Sequence, residues 1–146
     1  MIKKLICSGA LVLWGICSVQ GQQEVTWEDL TDVSFTSKYF GDTDGYFLVP
    51  SFGPDVKELE GKEISVTGYF LNLAPEEGIF MLSQNPMASC FFCGGGGPES
   101  VMEIKFRNSP SFKTDEVVTI TGVLELNAED INHCNYILRD ARGFAL

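Results

Sequence analysis

Hydrophobic and polar residues alternate through most of the second half of the chain. The clearest run, residues 64–71, is rich in β-branched and aromatic side chains, as expected of a strand with one buried face. Runs of similar character follow, at residues 79–82, 101–106, 117–126 and 136–144. Segments with turn-forming residues, such as Ala-Pro-Glu-Glu-Gly after the first run, separate them. The pattern therefore predicts five strands and an all-β fold.

Two of the predicted strands share a short motif. Residues 64–68 read Ile-Ser-Val-Thr-Gly and residues 118–122 read Val-Thr-Ile-Thr-Gly. A glycine inside a long strand often marks a bulge or a sharp bend, which a small barrel needs at its corners. The motif resembles the first and fourth strands of an OB-fold barrel, a fold with five strands. This resemblance covers residues 58–146 and implies a five-stranded OB-fold-like barrel; a small β-sandwich is the alternative.

The start of the chain has the layout of a secretory signal peptide. Lys3 and Lys4 precede an apolar run that ends in small residues. The run is shorter than the roughly 20 apolar residues of a membrane-spanning helix. We therefore expect cleavage after Gly21 and export to the periplasm or the exterior. A lipid anchor at Cys17 is less favoured, because the residue before it, Ile16, is not small.

Residues 22–57 are polar and rich in turns, which predicts a short irregular lead-in to a barrel domain at residues 58–146. One helical turn is expected at residues 26–30, capped by Thr26, with Trp27 packed onto the domain. Residues 42–45, Asp-Thr-Asp-Gly, resemble the opening of a calcium loop. The later ligands of such a loop are missing, which favours a plain turn.

The charge balance narrows the range of partners. The whole chain has 10 basic and 20 acidic residues, and removal of Lys3 and Lys4 would make the balance still more acidic. Such a chain repels nucleic acid, whose binding depends on basic side chains that neutralise phosphates. An acidic surface suits a soluble protein, a cation or a basic protein partner.

Candidate chemistry is concentrated in Cys90, Cys93, His133 and Cys134. Consecutive strands reverse direction, so the loop with the first two cysteines and the loop with His133 and Cys134 should emerge at the same end of the barrel. His133 is the only histidine of the chain. Three thiolates and an imidazole form a known tetrahedral zinc set. The sequence thus predicts zinc, or another thiophilic ion, bound by Cys90, Cys93 and at least one of the adjacent pair.

Residues 90–94, Cys-Phe-Phe-Cys-Gly, resemble the knuckle of zinc ribbons and rubredoxins. In those turns two thiolates surround one metal ion, and glycine adopts the positive φ that the turn uses. As a whole, the chain resembles small exported bacterial proteins of uncharacterised function that carry an OB-like barrel. The resemblance implies no catalytic residues. With the cysteines, it suggests metal handling, or a metal-stapled module that contacts a protein of the cell envelope.

Two other interpretations of the cysteines remain open. Export favours disulfides, and a Cys93–Cys134 bridge would join the same loops in a domain that recognises protein or glycan. Thiol redox chemistry is less favoured, because reactive cysteines are activated by a helix N-terminus or a nearby cation. Four glycines follow Cys93, and no Lys or Arg occurs between Lys62 and Lys105. No catalytic motif surrounds any serine, so no enzyme is predicted.

Overall fold

A computed structural model describes residues 21–146 of this protein. The predicted signal peptide, with Cys7 and Cys17, lies outside the described residues. In chain order the elements are β1 Gln23–Glu24, β2 Val33–Phe40, β3 Gly45–Phe52, α1 Pro54–Leu59, β4 Glu63–Ala74, β5 Ile79–Ser83, β6 Val101–Phe106, β7 Val117–Leu126 and β8 Tyr136–Ala145. No helix in this part of the chain is long and apolar enough to cross a membrane.

Strands β4 to β8 form a closed barrel. The strand order is β4-β5-β6-β8-β7, and β7 pairs back onto β4 to close the ring. Neighbouring strands are antiparallel except β6 and β8, which are parallel. The short strand β1 adds to the outside of β4 in a parallel pairing. The predicted all-β fold with a five-stranded barrel is confirmed, and the closed ring rules out the alternative sandwich.

The two copies of the repeated motif pair with each other across the β4–β7 contact. Each glycine lies where neighbouring strands approach closely. A Cβ atom on Gly68 would lie 2.6 Å from the carbonyl oxygen of Ser83, and one on Gly122 would lie 2.8 Å from that of Arg139. Gly122 also lies at a register shift between β7 and β8. The glycines therefore allow the barrel wall to bend, as the motif predicted.

The barrel wall buries apolar side chains on both of its faces. The larger cluster fills the interior and includes Phe80 and Leu82 of β5. Met81, between them, belongs to a second cluster, and alternate residues of a strand point to opposite faces. This outer cluster therefore lies outside the wall, beneath the two cysteine-bearing loops. Its buried members are Leu71, Met81, Cys90 and Val101, with Ile79, Met87, Phe91 and Cys134 packed against them.

The lead-in is more regular than the sequence suggested. Strands β2 and β3 form an antiparallel hairpin in continuous register from Val33 opposite Phe52 to Phe40 opposite Gly45. Residues 42–45, which resemble a calcium loop, supply its turn and the first residue of β3, so the plain turn is confirmed. The hairpin was missed because the turn-forming residues between its strands, and Pro50 within β3, favoured an irregular segment. The Asp-Gly pair between two β-prone runs was the available signal.

Two contacts attach the lead-in to the barrel. Trp27 packs against the interior cluster, and its indole Nε1 donates to the carbonyl oxygen of Thr67 at 2.8 Å. The Tyr136 hydroxyl donates to the carbonyl oxygen of buried Leu30 at 2.6 Å. The expected helical turn is a 3₁₀ turn at Glu28–Leu30. These contacts fix the segment that precedes the hairpin onto strands β4 and β8 of the barrel.

Candidate functional site

The first cysteine-bearing loop, residues 84–100, forms a tight turn around its cysteines. The Cys90 carbonyl oxygen accepts hydrogen bonds from the N–H groups of Cys93 and Gly95, both at 3.0 Å. Gly94 has φ +80°, so the predicted need for a positive φ at this position is confirmed. These N–H groups donate to carbonyl oxygens, whereas in a rubredoxin-like knuckle they point at sulfur. The turn thus has the expected glycine but a different hydrogen-bond pattern.

The turn gives its two thiols different environments. Cys90 is fully buried in the outer cluster, whereas Cys93 is exposed. The Cys93 thiol donates to the carbonyl oxygen of Met87 at 3.2 Å. Desolvation and the neighbouring Cys90 thiol raise the pKa of Cys93 above its ordinary value. A raised pKa lowers the thiolate fraction, which makes Cys93 a poor redox nucleophile.

The second loop, residues 127–135, is held by its own side chains. The Asn127 amide nitrogen donates to the carbonyl oxygens of Asp130 and Cys134, at 2.7 and 3.2 Å. The amide oxygen of Asn127 accepts from the Asp130 backbone N–H at 3.0 Å. Asn127 thereby fixes the loop from within. His133 and Cys134 lie outside regular strand structure, so adjacent residues are free to face one site.

Glu103 of β6 connects this loop to the barrel wall. Its side chain is 5% exposed and faces the outer cluster's side of the wall. The carboxylate lies 3.0 Å from Nδ1 of His133, accepts from the Cys134 backbone N–H at 3.3 Å and pairs with Lys105. Burial alone would raise the pKa of Glu103, but the hydrogen bonds from Lys105 and His133 outweigh it and lower this pKa. Glu103 is therefore an ionised, buried anchor for the loop.

The contact with Glu103 also orients the imidazole of His133. An ionised carboxylate only accepts hydrogen bonds, so Nδ1 of His133 carries the donated proton. In the neutral ring the lone pair is then on Nε2, the usual arrangement of a metal-binding histidine whose other nitrogen donates to a carboxylate. His133 is 42% exposed, which leaves it accessible to solvent.

Cys134 faces the sulfur of a methionine. Its Sγ atom lies 3.7 Å from Sδ of Met81, the β5 residue that pairs in register with Glu103. Burial, and then the charge of Glu103, raise the pKa of Cys134 to about 12. Like Cys93, Cys134 is protonated near neutral pH and lacks the activation that thiol redox chemistry requires.

A cavity of about 370 Å³ opens above Met81, His133 and Cys134. The hairpin forms one wall with residues 46–50, and Phe91, Phe92 and the loop from Ala128 complete it. The lining is mainly apolar and aromatic, and most of its polar side chains belong to the second loop, a composition common in ligand sites. The sequence did not predict the hairpin, and it did not predict that Met81 belongs to this site.

The four predicted ligands lie as two pairs. Cys90 is beside Cys93, and His133 is next to Cys134, while Cys90 and Cys134 contact the same outer cluster. Within residues 21–146, no three side chains of His, Cys, Asp or Glu are grouped closely enough to hold a metal ion as they stand. Cys90, Cys93 and Cys134 are all free thiols, so the Cys93–Cys134 bridge is absent from this structure.

Sequence reasoning also missed Glu103, because the strand pattern gives no local signal of its burial. Glu103 stands between Met102 and Ile104, both of which point into the barrel. A carboxylate at the outward position of a strand is ordinarily solvated. Only the tertiary structure shows that the second loop covers this one.

Comparisons with known proteins support the fold. No family model matches the chain, and no curated protein matches it. Among solved structures, the chain is similar to the crystal structure of a DUF3299 family protein from Pseudomonas aeruginosa PAO1, with a TM-score of 0.55 and 15% sequence identity. The match covers 86% of this chain and 97% of that one. At this identity the likeness concerns the fold alone, and it extends through both the lead-in and the barrel.

Proposed function

We propose that this protein is an exported metal-binding module that holds a thiophilic ion, zinc being the first candidate, with donors from Cys90, Cys93, His133 and Cys134. Its role would be metal handling in the cell envelope. Alternatively, the metal ion would join the two cysteine-bearing loops and stabilise a surface that contacts another protein. Export rests on the signal-like pattern of residues 1–21 and on the resemblance to small exported OB-like proteins.

One observation carries the proposal. The buried carboxylate of Glu103 holds both the imidazole of His133 and the backbone N–H of Cys134. Metal-binding histidines usually have such a carboxylate partner, which fixes the ring and increases its basicity. A soft sulfur donor is the next residue, and both side chains line one cavity. A histidine needed only for solubility would not require this support.

The first loop supplies the remaining donors after a local change. Cys93 is exposed, and its thiol contacts the Met87 carbonyl oxygen and the Cys90 thiol, so rotation of its side chain costs only weak hydrogen bonds. Cys90 already contacts the cluster against which Cys134 packs. Zinc binding would draw the two pairs together and close a tetrahedral site.

The test measures metal and thiols together. The full-length chain would be expressed without an affinity tag in a Gram-negative host and recovered from the periplasm, where its mass shows whether cleavage follows Gly21. Elemental analysis and titration with Co²⁺, whose thiolate complexes absorb visible light, should give one metal ion per chain. Cys134→Ser and His133→Ala should each weaken binding by about tenfold or more.

Asn132→Ala is the matched control, because Asn132 neighbours His133 but hydrogen-bonds only within the loop, to Asp130. It should leave metal affinity unchanged. Absence of bound metal in a folded protein with three reduced thiols would refute the proposal. A single free thiol and no metal would instead establish the disulfide-stapled domain.

A further inference from the structure

Three potential metal donors converge on the cavity, and one of them is a methionine. Met81, His133 and Cys134 all line it. The Met81 and Cys134 sulfurs are 3.7 Å apart, and Met81 is only 7% exposed. The thioether thus lies beside the thiol at the floor of the cavity, shielded from bulk water.

The barrel wall places Met81 there through strand register. Met81 in β5 is the partner of Glu103 in β6, so both side chains project from the same outer face. Glu103 contacts His133 and the backbone of Cys134, while Met81 contacts the Cys134 thiol. Two neighbouring residues of the wall therefore contact the His133–Cys134 segment, Glu103 through its carboxylate and Met81 through its sulfur.

This combination of donors has a preferred metal. Thiolate and thioether sulfur are soft ligands that select monovalent copper, and imidazole also suits copper. Structural zinc sites, in contrast, are closed by four ligands from Cys, His, Asp or Glu. A neutral thioether contributes little to a divalent ion but suits a singly charged soft ion in an apolar setting.

We infer that Met81, His133 and Cys134 form a binding site for Cu⁺ that opens into the cavity. The inference rests on the proposed function in assigning His133 and Cys134 as donors, and it adds Met81 and the identity of the ion. When Cu⁺ binds, the thiol of Cys134 releases its proton to solvent. The positive charge of the ion then balances the negative charge of the thiolate, and no electron is transferred. Aromatic side chains of the hairpin and Phe91 give the cavity into which the site opens a largely apolar lining.

The experiment compares Cu⁺ and Zn²⁺ affinities of the same protein under anaerobic conditions. Cu⁺ is titrated against the colorimetric chelator bicinchoninate, and Zn²⁺ against a fluorescent zinc chelator. Met81→Leu preserves side-chain volume and should remain folded. It should weaken Cu⁺ binding by at least about tenfold and change Zn²⁺ binding by less than about twofold.

Met102→Leu is the matched control, because Met102 is also buried but belongs to the interior cluster on the other face of the wall. It should alter neither affinity. X-ray absorption at the copper edge gives an independent measure, since the sulfur neighbours of Cu⁺ should fall from two to one in Met81→Leu.

The outcomes separate this inference from the proposed function. Unchanged Cu⁺ affinity and unchanged sulfur scattering in Met81→Leu would show that Met81 only packs, and would overturn the inference while zinc binding stood. Failure of the native protein to bind either ion would overturn both. Cu⁺ binding that depends on Met81, His133 and Cys134 but not on Cys93 would support the site as drawn.

Discussion

The two cysteine-bearing loops achieve order by opposite means. Residues 84–100 are held mainly by backbone hydrogen bonds, because glycines permit a turn in which the Cys90 carbonyl oxygen accepts from two N–H groups. In residues 127–135 side chains dominate, through Asn127 within the loop and Glu103 beneath it. The backbone-held loop leaves one thiol buried and one exposed. The side-chain-held loop directs a histidine and a cysteine toward a common cavity, which is why we place the chemistry there.

Thiol reactivity should show the largest difference between the loops. In the native protein, iodoacetamide should modify exposed Cys93 on the order of a hundredfold faster than buried Cys90. Cys134 should react slowly near neutral pH, with a rate that rises about tenfold per pH unit below its pKa of about 12. Mass spectrometry of timed samples measures all three rates. Equal reactivity of Cys90 and Cys93 would contradict the described turn.

Alanine at two adjacent glycines tests the backbone-held loop. A Cβ atom on Gly95 would lie 1.8 Å from the Ser89 carbonyl oxygen, so Gly95→Ala should lower the free energy of unfolding by about 2 to 3 kcal/mol. At Gly94 nothing lies within 4 Å of the added Cβ, and the φ of +80° is the sole obstacle. Gly94→Ala should therefore cost about 1 kcal/mol. Urea unfolding measures both, and equal costs would argue against the close approach at Gly95.

Glu103→Gln tests the side-chain-held loop. The amide keeps the shape of the side chain but loses the negative charge that pairs with Lys105 and His133. The free energy of unfolding should therefore fall by about 1 to 2 kcal/mol. Because the folded state lowers the pKa of Glu103, its stabilisation is present at neutral pH and is lost as pH falls below 4.5 through that lowered value. The decrease in the free energy of unfolding as pH falls through this range should be smaller in the variant.

Glu125→Gln provides the control for Glu103→Gln. The pKa of Glu125 is also lowered, by its hydrogen bond with Arg139, but both side chains of this pair are exposed. Such a pair contributes little to stability, and its loss should cost less than about 0.5 kcal/mol. A larger cost at Glu125 than at Glu103 would show that the loop does not depend on its buried anchor.

Much of the barrel could be predicted because its signals are local. Both ends of β6 and β7 match the alternating runs, since side chains that face the interior alternate with those that face outward. The two strands that carry the repeated glycine motif pair with each other and close the ring. The hairpin escaped prediction because turn-forming residues and Pro50 favoured an irregular segment, whereas its two strands pair with each other.

The sequence by itself determined the five barrel strands, the glycine turn at Gly94 and the residue types available for metal chemistry. Only the tertiary structure decided that the cysteine-bearing loops fold back over the outer face of the wall, that Cys90 is buried while Cys93 is not, and that Met81 and Glu103 contact Cys134 and His133. Strand pairing brings together residues such as Met81 and Glu103, which stand more than 20 positions apart in the chain. Local patterns record which face a side chain occupies, but not which distant segment covers that face.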